Sequence, residues 1–211
     1  MILIFGAVTG GLGQPLHQQV CGLFEQQVVM AIGRQHCDVE SEASIKLFFE
    51  TILCYGPLHV INATGVSISA MIHKTEVGDI GRMLRVNLVS NILMLKHARE
   101  LYKQHGGTFT MIGSIAASHG PAGTAVYAAS KAALQGLVKV ASKEFARINT
   151  RVNVIELGYT MHGMIGQVRL PMEIPIQLGR LGNSRDLAHA CKFLIDCEYM
   201  TGAIVKVNGG L

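Results

Sequence analysis

"ILIFGAVTGGLGQPL", residues 2–16, passes from four apolar residues through a glycine cluster into a segment with a proline near its start. Ile2–Phe5 predicts a buried strand. Pro15 falls near the first turn of a helix extending to about Phe24, where its missing N–H does no harm. Glycines between a strand and a helix let the backbone approach a pyrophosphate, and the helix N-terminus favours its negative charge. The stretch therefore predicts a dinucleotide loop, with Gly6, Thr9, Gly10, Gly11, Leu12 and Gly13 as candidate contacts.

Outward from that loop, apolar runs alternate with segments of helical period. Strands are predicted at Gln27–Ile32, Leu58–Asn62, 106–114, Arg151–Glu156 and Ala203–Val207. Helices are predicted at Ser41–Leu53 with Ser41 as N-cap, at Val77–Gln104, from about 124 to Arg147, and at Ser184–Ile195. Strands separated by helices imply parallel β-α-β units, so the fold class is α/β, a doubly wound parallel sheet in one domain spanning 1–211. Such sheets bind ligands at the carboxyl ends of their strands.

About 20 residues beyond a dinucleotide loop, an acid holds the ribose 2′-hydroxyl of NAD, whereas an arginine accommodates the 2′-phosphate of NADP. Here "VVMAIGRQ" places Gly33 at the acid's position and Arg34 next to it. NADP(H) is favoured over NAD(H).

"AVYAASKAALQGLVK", residues 125–139, puts Tyr127 and Lys131 four apart, on one face of a helix. A free tyrosine titrates near ~10, and a neighbouring ammonium lowers that value. The pair is expected to act as a tuned acid–base group. Ser114, thirteen positions earlier at a strand end, can point its hydroxyl into the same cleft.

Ser-x12-Tyr-x3-Lys, behind a glycine loop and the strand end "NATG", resembles the short-chain dehydrogenase/reductase family from Ile2 to Gly210. The resemblance implies a Rossmann sheet with a catalytic site integral to it. It implies Tyr127 as acid/base, Lys131 as its pKa-lowering partner and ribose contact, and Ser114 as a hydrogen-bonding partner of the substrate carbonyl. Asn87 in "RVNLVSN" matches the helix asparagine of a water-linked proton relay. Asn62, Ala63 and Gly65 match the "NNAG" motif, with Ala63 in place of its second Asn and Thr64 in place of its Ala. Asp38 matches the acid near adenine, Gly158 the turn beside nicotinamide, and Thr160 the contact to its carboxamide. The tail 178–210 is similar to that of β-ketoacyl-ACP reductases, which implies fatty-acid or polyketide chemistry and a carrier-bound acyl thioester. An enoyl reductase is disfavoured, because that branch spaces its Tyr and Lys more widely.

The chain departs from the pattern in places. Its glycine loop is one residue too long, Phe5 stands where threonine is expected, and Leu157 replaces the proline before Gly158. Only four residues separate Ile32 from Cys37, too few for a parallel crossover, which needs about a dozen. The family's helix between its second and third strands is therefore expected to be missing, and its third strand missing or reduced. About six parallel strands and an open edge beside Gln27–Ile32 should result. The lid segment 159–175 is also short.

Composition narrows the classes. Charged residues make up 15% and apolar residues 49%, which excludes disorder, and the net charge of +4 contains no basic run suited to nucleic acid. Five cysteines without a C-x-x-C pair are expected as reduced thiols in a cytoplasmic protein. The five-residue apolar start is too short for a signal peptide, and no stretch approaches the roughly 20 apolar residues of a membrane span. The nine histidines show no H-E-x-x-H spacing, so no metal is expected; His119 and His162 flank the cleft.

The expected activity is NADPH-dependent reduction of a ketone, a β-ketoacyl thioester foremost. A reductase of another secondary alcohol or ketone and a non-catalytic cofactor-binding regulator stay open. By the resemblance, the helices at 77–104 and 124–147 pair into a homotetramer or homodimer, through outward faces including Leu93, Ala98, Leu134 and Val138.

Overall fold

The computed structural model describes residues 1–6, 12–161 and 176–211. Six parallel strands form one sheet: β1 (Ile2–Phe5), β2 (Val29–Ile32), β3 (Leu58–Asn62), β4 (Gly107–Ile112), β5 (Thr150–Leu157) and β6 (Ile204–Val207). Their order is β2-β1-β3-β4-β5-β6, all neighbours parallel. The helices are α1 (Gly13–Leu23), α2 (Glu42–Thr51), α3 (Val77–Leu84), α4 (Ser90–His105), α5 (Ala116–His119), α6 (Ala125–Ala146) and α7 (Ser184–Asp196).

The strand period of two divides the core. Leu3 and Phe5 of β1 join a cluster with Ile45, Met94 and Leu134, beneath α2, α4 and α6. Ile2 and Ile4 turn the other way, onto Leu16 and Val20 of α1 and Leu187 and Cys191 of α7. Right-handed crossovers require this of α1 against α2, α4 and α6, because the chain steps from β1 to β2 in one direction and from β2 onward through β5 in the other. The reversal opens a crevice between the carboxyl ends of β1 and β3. The connection to β6 is the exception to that handedness, since it steps the same way as β3 to β4 yet carries α7 on the α1 face.

Strand β2 is the sheet edge, as the short interval after Ile32 implies. Residues 33–40 form turns rather than a strand or helix, with the Gly33 carbonyl accepting from the His36 and Cys37 amides. Ser41 caps α2 as expected, its Oγ accepting from the Ser44 amide at 3.3 Å. The helix expected over 77–104 is present as an unbroken helical run, α3 and α4 joined through a π-helical turn at Arg85–Val89. One expectation needs correction. Ala98, Leu134 and Val138 do not face outward; all are buried in the core, with Leu93 packed against it. The exposed large apolar residues of these helices include Val77, Val89, Ile92 and Val140. Because α6 is rich in Ala, Leu and Val on several sides, its apolar period left its phase ambiguous.

Candidate active site

Every described candidate lies at the carboxyl side of the sheet. Gly6 follows β1 with φ +82°, and a Cβ there would stand 3.2 Å from the Ala63 carbonyl group and the Thr64 amide nitrogen. Glycine is thus needed both for its conformation and for the close approach of the β1 and β3 turns. Leu12 precedes α1, whose N-terminus has no side-chain cap hydrogen bond and no acid in its first turn; Gly13 is buried. Thr9, Gly10, Gly11 and His162 lie outside the described residues, as does most of the lid segment.

Asn62 ends β3, 1% exposed. Its Oδ1 accepts from the Thr64 amide at 3.1 Å and from Thr64 Oγ1 at 2.6 Å, which shapes the turn through Ala63. Its Nδ2 donates to Asn91 Oδ1 at 2.9 Å, and Asn91 Nδ2 donates to the Asn87 carbonyl at 3.0 Å. Asn87 sits at the middle of the π-turn, fully buried. Its amide pairs both ways with the Val66 backbone at 2.9 Å, and Nδ2 also donates to Ser130 Oγ at 2.9 Å. Ser130 Oγ donates in turn to the Tyr127 carbonyl at 2.7 Å. The network braces the β3 turn, the π-turn and the first turn of α6 against one another.

Asn91 and Ser130 were missed in the sequence. The signal was present, since Asn91 lies one helical turn beyond Asn87 and Ser130 adjoins Lys131. Asn91 ends the quoted RVNLVSN and Ser130 fills an unspecified position of Tyr-x3-Lys, so neither is a position that the motif singles out.

Ser114 follows β4, and its Oγ accepts from the Ala116 amide at 3.1 Å. It lies close enough to the half-buried Tyr127 side chain to act on that phenol's pKa. Lys131, one turn along α6 and 4% exposed, donates from Nζ to the Ile112 carbonyl at 2.7 Å. Burial pulls its pKa down to about 8. The structure thus unites Ser114, Tyr127 and Lys131 between β4 and α6.

One electrostatic expectation is reversed. Tyr127 is not pulled below its ordinary value: burial pushes it up, and Ser114 offsets that in part. Lys131 Nζ stands 5.9 Å from the ring centroid and is turned to the Ile112 carbonyl, so it does not govern the phenol here.

Two glycines lie close to these groups or to the end of β5. A Cβ on Gly65 would lie 3.5 Å from both Asn87 Oδ1 and Lys131 Nζ. Gly158 donates from its amide to the Val207 carbonyl at 2.9 Å, and a Cβ there would come within 2.6 Å of the Asn208 Cα. Thr160, 4% exposed, bridges Gly182. At the far end of the crevice, Arg34 is exposed and ion-paired with Asp38 at 3.1 Å. Arg34 and Asp38 are therefore together, and apart from the Ser114–Tyr127–Lys131 group.

An α/β chain with this sheet order and this cluster at the ends of β3, β4 and β5 has the form of a nucleotide-dependent oxidoreductase. A family profile described as "Enoyl-(Acyl carrier protein) reductase" matches residues 12–211. Carbonyl reductase family member 4 of Danio rerio is 35% identical over 178 residues, covering 83% of this chain and 75% of its own. Human 3-oxoacyl-[acyl-carrier-protein] reductase is 35% identical over 181 residues, covering 83% and 76%. The (3R)-3-hydroxyacyl-CoA dehydrogenase of Canis lupus familiaris is 30% identical over 187 residues, covering 82% and 71%. The chain belongs to the short-chain dehydrogenase/reductase family. It is an oxidoreductase acting on CH–OH/C=O groups.

Proposed function

We propose that the chain reduces the ketone of a β-ketoacyl thioester, with NADPH as reductant and Tyr127 as proton donor. The observation that carries the reading is Tyr127 standing between Ser114, which acts to lower its pKa, and a buried Lys131 one turn along α6. The relatives' names point to acyl-thioester ketones, on which reductase and dehydrogenase are the two directions of one reaction.

The residues present fit a dinucleotide. The uncapped N-terminus of α1 offers backbone amides to a pyrophosphate. Gly6 lets the first turn lie against the Ala63 peptide, and Gly65 passes Asn87 and Lys131 without adding a side chain. Gly158 and Thr160 frame the end of β5, where the nicotinamide would lie. Bound there, the dinucleotide supplies the hydride.

The chain's own task is the oxygen. Negative charge develops on it as the carbonyl is reduced, and a donor must already be in place. Ser114 Oγ holds the carbonyl in line, and the Tyr127 hydroxyl delivers the proton. Lys131, with a pKa near 8, exchanges protons readily at neutral pH and also reaches the ribose. Asn87 positions α6 through Ser130.

The test is NADPH oxidation across a panel of ketones that includes an acetoacetyl thioester. Tyr127→Phe should retain NADPH binding and lose turnover by about 10² or more. Wild-type turnover in Tyr127→Phe removes the proton-donor assignment, and no turnover by wild type on any ketone leaves the non-catalytic reading. A preference for a ketone that is not a thioester transfers the proposal to another secondary alcohol.

A further inference from the structure

We propose that Asp38 limits how strongly Arg34 selects a 2′-phosphorylated dinucleotide over its unphosphorylated counterpart, by holding the guanidinium in a competing ion pair. The inference rests on the nucleotide reading above.

Strand β2 ends beside the glycine loop, where the Gly6 amide donates to the Ile32 carbonyl at 2.9 Å. Arg34 is therefore at the crevice end that an adenosine ribose would reach. It is not waiting there with its donors free. Its Nε and Nη2 both donate to Asp38 Oδ2, at 3.3 and 3.1 Å. Its Nη1 stands 4.0 Å from Glu40 Oε1, an oxygen that also lies 3.7 Å from Arg82 Nε.

Asp38 is fixed by the turn rather than by the arginine. Its Oδ1 accepts from the Glu40 amide at 3.0 Å, and its own amide donates to Ser44 Oγ at 2.9 Å. The cause is the short interval after β2, which sets the acid four residues beyond the arginine and within its reach.

A phosphate approaching Arg34 must displace Asp38 Oδ2 or accept the donors left over, and in either case it meets two carboxylates. An exposed pair of this kind is worth a factor of about two to five in an equilibrium. Repulsion between a carboxylate and a phosphate adds to that factor and is screened by salt. Arg34 is the source of selectivity, and Asp38 sets its size.

The experiment titrates NADPH and NADH by fluorescence into wild type, Asp38→Asn, Arg34→Ala and the double variant, at low and high salt. Asparagine keeps an oxygen for the Glu40 amide, so the turn survives. Asp38→Asn should tighten NADPH about threefold or more relative to NADH, with a smaller gain at high salt. The gain should vanish in the double variant. Glu40→Gln, which leaves Asp38 in place, should shift the ratio the same way by a smaller factor. A ratio that neither single carboxamide variant moves, or a gain that persists without Arg34, overturns the proposal and leaves the nucleotide reading intact. Failure of wild type and Asp38→Asn to bind either dinucleotide overturns both.

Discussion

Lys131 concentrates the conflict between stability and chemistry at one residue. Its ammonium has a single hydrogen-bond acceptor among the described residues, the Ile112 carbonyl, and burial holds its pKa at about 8 against an ordinary value of 10.5. The charged form is thereby disfavoured in the folded chain by something on the order of 3 kcal/mol. The unfolded chain binds the extra proton between pH 8 and 10.5, so this penalty is complete below pH 8 and is relieved as pH rises through that window. Lys131→Met should accordingly be more stable than wild type at pH 7, with a gap that narrows between pH 8 and 10.5 in denaturant melts. A gap independent of pH would contradict the buried charge. The variant should also lose NADPH affinity and rate together, because the ammonium serves both. In wild type, kcat/KM should fall as pH rises through about 8, as the ammonium is lost.

At the scale of elements, the π-turn at Arg85–Val89 does the positioning. One extra residue in a turn redirects side chains that a regular helix would aim elsewhere, and such turns recur at functional sites. Here it delivers the Asn87 amide to the Val66 backbone and to Ser130 together. Asn87→Ala would leave the part-buried Val66 amide and carbonyl without their partner, at up to about 1 kcal/mol for each. A lowered Tm should therefore accompany lost turnover, and Asn91→Ala, one bond further out, should lose less of both. Equal losses would put the two asparagines on one footing. Strands and caps were legible because each depends on a short local pattern, such as the four apolar residues of β1 or Ser41 before α2. The π-turn was not, because "RVNLVSNIL" keeps a helical period and the extra residue is stabilised by contacts from β3 and α6. The Ser, Tyr and Lys positions were legible through their spacing. The direction of the Tyr127 shift was not, since it depends on burial and on where Lys131 Nζ points, and spacing encodes neither.

At the scale of the whole molecule, apolar side chains on the helices stay exposed among the described residues. Ile92 is 43% exposed on α4 and Val140 56% exposed on α6, with Val89 beside the former. Gly136 lies one turn before Val140, and a Cβ there would meet nothing within 4 Å. A smooth, low-relief surface on α6 permits close approach of another helix. Symmetric oligomers commonly bury such a face against its own copy. We expect wild type to sediment above monomer mass at micromolar concentration through this α4–α6 face. Ile92→Asp combined with Val140→Asp should yield monomers with an unchanged circular dichroism spectrum, since both side chains already meet solvent. Because α6 carries Tyr127 and Lys131 on its inner side, separation of the subunits should also lower turnover without weakening NADPH binding to the same degree. A wild type that sediments as a monomer, or a double variant that stays assembled, would show that this face is not the interface.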